Sequence, residues 1–308
     1  MSQQWLRNVS LIVGDAAGNG LDLSQMHIRF MVRNATVETL KRADITVYNL
    51  TDAHAKLIQG EFTRVQLQVG YGDGLGMIFQ GEIAVIRRGK ETAADTFVYM
   101  LGQDADRAVN WSVTNCTLAA GWDQDAVQKR LLQDLGAFGV NPGSIVPYKS
   151  NPAPRGKVMF GMTRDYQRLV AHGQLADWSI EDYQLNVLAH TGVLPGEAVV
   201  LNSRSGMIGV PEQTIQGLMV RSLMNPQIRA GGKIQINNAD VVSMKLYPYL
   251  NGPTFVPSLD ADGFYRSACV THVGDTRGND WYTEAICIAV DGTAPASGPT
   301  LTAVPDGQ

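Results

Sequence analysis

Cysteine is scarce in this chain. Only Cys116, Cys269 and Cys287 occur in 308 residues. An odd, widely spaced set excludes a framework of paired disulfides. Cys269 and Cys287 fall in apolar strand-like runs, SACVTHV and AICIAVD, and are expected as small buried hydrophobes in a reducing compartment. Long hydrophobic runs are missing too. The opening MSQQWLRNVSLIVGD carries one Arg and a short apolar run ending at Val13, without the h-region of a signal peptide. No run reaches the roughly 20 residues that cross a bilayer, so no membrane segment is expected. The Asn-x-Ser/Thr triplets at Asn8, Asn34, Asn49 and Asn115 therefore do not argue for glycosylation. A basic excess is also lacking: 25 Lys and Arg stand against 29 Asp and Glu, a net charge of −4. That argues against tight sequence-independent DNA binding through phosphate neutralisation, though not against a pore through which DNA passes.

Spaced catalytic sets are equally absent. His27, His54, His172 and His190 are isolated, with no HxxxH or HExxH spacing, and there is no GxSxG. Cys116 would serve as a nucleophile only with a His and an Asn brought beside it by the fold. Gly72-Asp73-Gly74-Leu75-Gly76 resembles a phosphate cradle in composition, but no Lys-Ser/Thr or helix start follows it; a hairpin turn is the expectation. Gly14–Gly20, GDAAGNG, reads the same way. Asp260-Ala261-Asp262-Gly263 opens like a calcium loop, but its Gly comes too early and Phe264 takes a ligand position, leaving a solvated turn. His272, Asp275 and Asp280 could meet over a final hairpin, where Asp and Asn are routine turn residues. Glu181-Asp182 and Asp123/Asp125 suit a turn and a helix start. No catalytic, cofactor-binding or metal residue is assigned, and no cofactor is expected.

What the chain does have is strand signal. Met26–Arg33 alternates, with Met26, Ile28, Phe30 and Val32 on one face. Asp44–Leu50 and Arg64–Tyr71 repeat the pattern, and Met77–Arg88 pairs with Asp95–Gly102 across RRGKETAAD. Between them Thr51 or Asp52 caps a short helix, with Leu57 and Ile58 inward and Gly60 at its end. Residues 1–112 are thus expected to form a small barrel or closed sandwich. Residues 113–195 change character. Trp122–Leu135 has helical spacing at Ala126, Val127, Leu131, Leu132 and Leu135, stopped by Gly136 and Gly139. Four prolines between Pro142 and Pro154 exclude regular helix or a central strand. Thr163 would cap a second helix with Tyr166, Leu169 and Val170 inward. Trp178–Ile180 and Gln184–Leu188 form a hairpin around Glu181-Asp182.

From residue 196 to 293 strands return, at Glu197–Asn202, Gly217–Leu223, Lys233–Asn237, Met244–Tyr249, Phe264–Val273 and Trp281–Val290. Gly231-Gly232 offers positive φ at a tight turn before Lys233. Residues 294–308 read as a polar, flexible tail. The fold class expected is mainly β with an α+β insert: two tube-like antiparallel β-barrel domains flanking a small α+β domain.

Three stretches carry a family resemblance: Arg155–Met162 (RGKVMFGM), Gly206–Gly232, and Gly274–Tyr282 (GDTRGNDWY). In that order they resemble the baseplate hub proteins of contractile-tailed bacteriophages, the tail-hub group that includes late-control-protein-D-like chains. The resemblance runs from about residue 26 to 291 by element order. It implies a virion structural protein: a homotrimer whose six barrels adapt a six-fold tail tube to a three-fold spike. Its implied partners are the tail spike protein, tail tube or tube-initiator proteins, other baseplate proteins and the tape-measure protein, with assembly in the bacterial host cytoplasm. A related contractile injection machine, or a peptidoglycan-degrading tail enzyme, are the alternatives.

Overall fold

The computed structural model describes residues 6–15, 18–148, 151–214, 216–241, 259–260 and 262–290. The strand expected at Met244–Tyr249 and the tail at 294–308 lie outside the described residues. The first region holds β1 (Arg7–Gly14), β2 (Gly20–Asp22), β3 (Ile28–Ala35), β4 (Arg42–Tyr48), α1 (Asp52–Gly60), β5 (Arg64–Tyr71), β6 (Gly74–Lys90) and β7 (Thr96–Gln103). The middle region holds α2 (Asp106–Trp111), β8 (Val113–Leu118), α3 (Gln124–Gly136), β9 (Asn141–Ile145), β10 (Lys157–Met162), α4 (Thr163–His172), β11 (Ala176–Glu181) and β12 (Gln184–Ala189). The last holds β13 (Val199–Leu201), β14 (Glu212–Thr214), β15 (Gly217–Leu223), β16 (Lys233–Ile236), β17 (Phe264–Asp275) and β18 (Trp281–Ala289). The chain is mainly β, as its alternation predicts.

Alternation decides which faces turn inward. Ile28, Phe30 and Val32 of β3, Ala43, Ile45 and Val47 of β4, and Val65, Leu67 and Val69 of β5 are all buried in one core, with Ile58 of α1 among them. Thr51 caps α1 by accepting the His54 N–H. At its centre β6 changes partner: Gly74–Glu82 pairs with β5, and Glu82–Lys90 with β7. Gly81 and Gly102 make room for this bend. A Cβ on either would lie within 2.7 Å of the Phe79 ring.

Pairing does not stop at the edge of the first region. β3 pairs with β4 on one side and with β17 on the other, from Cys269↔Ala35 to Asp275↔Arg29. One sheet therefore runs β14-β15-β18-β17-β3-β4-β7-β6-β5-β1-β2, with β16 and β13 added beside β17. Met224 and Trp281 from the last region also enter the core of the first. Trp281 meets Phe30 edge-on at 5.6 Å between ring centres.

In the middle region α3 and α4 lie between the two-stranded ribbon β8–β10 and the sheet β11-β12-β9. Val127, Leu131, Met159 and Val170 form the core on the ribbon side; Leu135, Trp178, Ile180, Leu185 and Val187 belong to the other. Asp123 caps α3 through the Ala126 N–H at 2.8 Å. The proline-rich stretch contains a strand, but an edge one: Pro142 in β9 needs no N–H on that side.

Four local expectations change. Leu57 of α1, expected inward with Ile58, is exposed, and Ala55 is buried beside Ile58 instead. Thr163 begins α4 without capping it; its hydroxyl is buried at 2.7 Å from Ser112 and 3.0 Å from Thr114. Leu169 points outward, because α4 turns the polar Gln167 inward to pair with Gln128 of α3. β2, β8, β10, β14 and α2 are elements that the strand and helix signals do not announce.

Candidate assembly surfaces

The residues with chemical potential are mostly used in turns and cores. Gly72 and Asp73 form the tip of the β5–β6 hairpin, Gly72 with φ +54°, and no helix follows. The Asp260 carboxylate accepts N–H groups from Asp262, Phe264 and Val290, which fastens its turn to the end of β18. His272 is buried in β17, with Nδ1 2.9 Å from the Thr283 hydroxyl, and burial pushes its pKa down to about 3. Asp275 serves a different neighbourhood: it lies 2.8 Å from His27 Nε2 and accepts the N–H groups of Arg277 and Gly278. Asp280 contributes its main-chain carbonyl to Asp275 N–H. Among the described residues no His, Cys, Asp and Glu side chains gather in a group able to hold a metal ion. Cys116 packs against the α3–α4 core. Cys269 and Cys287 are buried, and burial raises both thiols, Cys269 to about 11.

A polar node joins the middle region to the β body. Lys41, just before β4 and 3 % exposed, donates to Asp182 at 2.9 Å and to Glu181 at 3.3 Å. Asp104, fully buried after β7, accepts the N–H groups of Asp182 and Tyr183. Those two residues form the tip of the β11–β12 hairpin with φ of +53° and +60°, a conformation that only glycine adopts freely. The Asp104 carboxylate offsets this by capturing both amides. Glu181-Asp182 is therefore the expected turn, and also half of an inter-region contact. Lys41 and Asp104 escaped sequence reasoning, since no local pattern links positions so far apart.

One surface is apolar without being covered. On the ribbon β8–β10, Met159 faces α3 and α4, so Val158 and Phe160 face outward, each 74 % exposed. Val113 of β8 shares that face, and Trp111 just before it is 71 % exposed. The Phe160 N–H is taken by the Tyr166 hydroxyl at 2.9 Å. Asn115 and Thr117, also exposed, stand directly across from Phe160 and Val158 on that face.

No protein-family model and no curated protein sequence matches the chain. Solved structures do. A tail protein from Neisseria meningitidis MC58 aligns with a TM-score of 0.56 at 13 % identity, covering 94 % of this chain and 98 % of its own. The 43 kDa tail protein of prophage MuSo2 from Shewanella oneidensis aligns with 0.57 at 8 % identity, over 94 % and 99 %. This chain has the fold of phage tail proteins. The E. coli c3393 protein shares it, with a TM-score of 0.55 at 11 % identity over 90 % of this chain and 77 % of that one. That protein is described as a component of the type VI secretion system, structurally similar to the T4 bacteriophage tail proteins gp27 and gp5. The hub-like resemblance of the three sequence stretches and the likeness of the folds point to the same group.

Proposed function

We propose that this protein is a structural subunit of a phage tail, the hub of its baseplate, with no catalytic role of its own. The observation that carries the reading is the fold match to two tail proteins over nearly the whole of both chains. The reading has three subunits forming a ring. Each contributes two similar β units, residues 1–112 and 196–293, so that three chains present six near-equivalent faces to a six-fold tube. The α+β unit, residues 113–195, remains three-fold. The spike, tube or tube-initiator, tape-measure and other baseplate proteins are the partners this arrangement calls for, in a virion assembled in the host cytoplasm. The outward face of β8–β10, with Trp111, is the surface we assign to a neighbouring subunit or baseplate protein. Burying Val158 and Phe160 there contributes about 1.5–3 kcal/mol for each side chain.

A type VI-like injection machine is the second reading, and the fold match to the c3393 protein favours it. The ring has the same logic in both. Mass photometry with electron-microscopy class averages tests the common core. Three chains and a pseudo-six-fold inner ring are expected; a dimer or a true hexamer would refute the adaptor. Phe160→Asp should leave the melting temperature unchanged and abolish incorporation into particles.

A further inference from the structure

We infer that the α+β unit is docked on the β body through a proton-holding joint, which tightens in acid and loosens toward neutral pH. The joint is the contact between the β11–β12 hairpin and the Lys41–Asp104 pair.

The geometry comes first. Three carboxylates, Asp104, Glu181 and Asp182, surround one ammonium, Lys41, and three of these four residues are less than a tenth exposed. With every group ionised the cluster carries two uncompensated negative charges in a dry place, which is a costly arrangement. Holding one proton relieves half of that. The other charged and titratable groups around it do not neutralise the excess. Tyr183 of the hairpin faces Glu82 of β6, Arg107 of α2 and Arg64 of β5 as well as Asp104. His272 of β17 lies behind Lys41, together with Arg229, and burial keeps it neutral. Lys41 remains charged, because Glu181 and Asp182 outweigh its burial.

Asp104 is the group that takes the proton. Burial raises its carboxyl to about 7; Lys41 and the N–H groups of Tyr183 and Asp182 oppose this, and the nearby Asp182 carboxylate adds to it. When the hairpin lifts off, Asp104 meets water and returns to the ordinary range near 4. The sign follows. A carboxyl whose docked pKa lies above its undocked one stabilises docking fully at low pH. It loses that contribution as pH rises from about 4 to about 7.

The surroundings leave room for movement. A cleft of about 520 Å³ separates the same hairpin and β9 from β16, lined by Glu181, Asn186, Arg229 and Lys233 among others. Leu188 of β12 packs beside Gly231, and other side-chain contacts across the joint are polar. Glu38 faces Arg168 and His172 of α4. Arg266 of β17 donates to the carbonyls of Ala189 and Gly192, beside Asp177 and His190.

The test is hydrogen–deuterium exchange of the full-length protein at pH 5.5 and pH 8.0, corrected for intrinsic rates and read on peptides spanning 176–189. The shift from about 4 to about 7 makes the docking constant about 30-fold larger at the lower pH. Asp104→Asn keeps only one of the two acceptor oxygens and removes the titrating group, so it should hold the hairpin less firmly but to the same extent at both pH values. Should that variant not fold, Asp182→Asn decides. It suits the positive φ, removes the neighbouring negative charge, and should move the wild-type midpoint to lower pH. In His172→Ala/His190→Ala most of the dependence should persist. Equal wild-type protection at both pH values, an Asp104→Asn slope like the wild type, an unmoved midpoint in Asp182→Asn, or a slope lost with the two histidines would each overturn the inference.

Discussion

Gly231 is where a single Cβ should be most informative. Its φ is +81°, its N–H donates to the Ser267 carbonyl at 2.7 Å, and its own carbonyl accepts the Leu194 N–H at 2.7 Å. The residue thus ties the turn before β16 to β17 and to the segment arriving from the α+β unit. An added Cβ would stand 2.7 Å from Leu188 Cδ1 and 3.3 Å from Leu194 Cγ. Gly231→Val meets two penalties. Left-handed backbone costs an L residue about 1–2 kcal/mol, and more when it is β-branched. Forcing extra carbon into a packed site costs about 1–3 kcal/mol. The Leu188 side chain can yield a little, so the sum is about 2–4 kcal/mol. For a chain of this size that lowers the melting temperature by about 5–10 °C. Gly60→Ala is the matched control. Gly60 ends α1 with nothing within 4 Å of its would-be Cβ and no positive φ, so alanine there should be neutral or stabilise by up to about 1 kcal/mol. Differential scanning fluorimetry on the two variants and the wild type is sufficient. A Gly231→Val melting temperature within about 1 °C of wild type would refute the reasoning, because both penalties would have to vanish together.

Lys41→Met should be among the most damaging single changes. It leaves Asp104, Glu181 and Asp182 buried without their cation, a loss of about 3–5 kcal/mol in chemical denaturation, greater at pH 8 than at pH 5.5. Thr163→Val preserves shape but leaves the Ser112 and Thr114 hydroxyls without their shared partner; a cost of about 1–3 kcal/mol is expected by the same assay. The purified protein should give no clearing band on a peptidoglycan zymogram, and Cys116→Ser, His172→Ala and Asp275→Ala should leave assembly intact. A band abolished by any one of them would show that the non-catalytic reading is wrong.

The strands that sequence made legible are those with one wet face and one dry face. In β3 the buried Ile28, Phe30 and Val32 alternate with Arg29, Met31 and Arg33, and period two is then unavoidable. The helix α3 was equally plain, because Asp123 caps it and Val127, Leu131 and Leu135 share a face. Where polar groups go inward, hydropathy misleads. In α4 the buried Gln167 bonds Gln128, and Leu169 is displaced to the outside. Periodicity cannot register a glutamine pair that satisfies itself across two helices. The ribbon β8–β10 inverts the rule from the other direction: Val158 and Phe160 are apolar and exposed. The joint was invisible for a third reason. Lys41 lies 140 residues from Glu181 and 141 from Asp182, and isolated charges next to a strand look solvated.

Two kinds of connection hold the regions together, and they differ in stiffness. Between the first and last regions the connection is a β ladder, β3 against β17, reinforced by Trp281 and Met224 inside the neighbouring core. Breaking it means exposing main-chain hydrogen bonds and large apolar groups together, so the two β regions should move as one body. The α+β unit is attached differently. Its side-chain contacts with that body include Lys41 with Glu181 and Asp182, Glu38 with Arg168, and Arg266 with two carbonyls. Such contacts exchange readily with water and individually contribute little, unless they are as deeply buried as Lys41. In the three-copy ring proposed above, the first connection would supply a fixed platform, since a tube needs its docking faces held at constant spacing. The second supplies an appendage whose angle can adjust while the platform does not. The proposed adaptor between six-fold and three-fold partners would require both, because its two sides cannot be met by the same rigid surface.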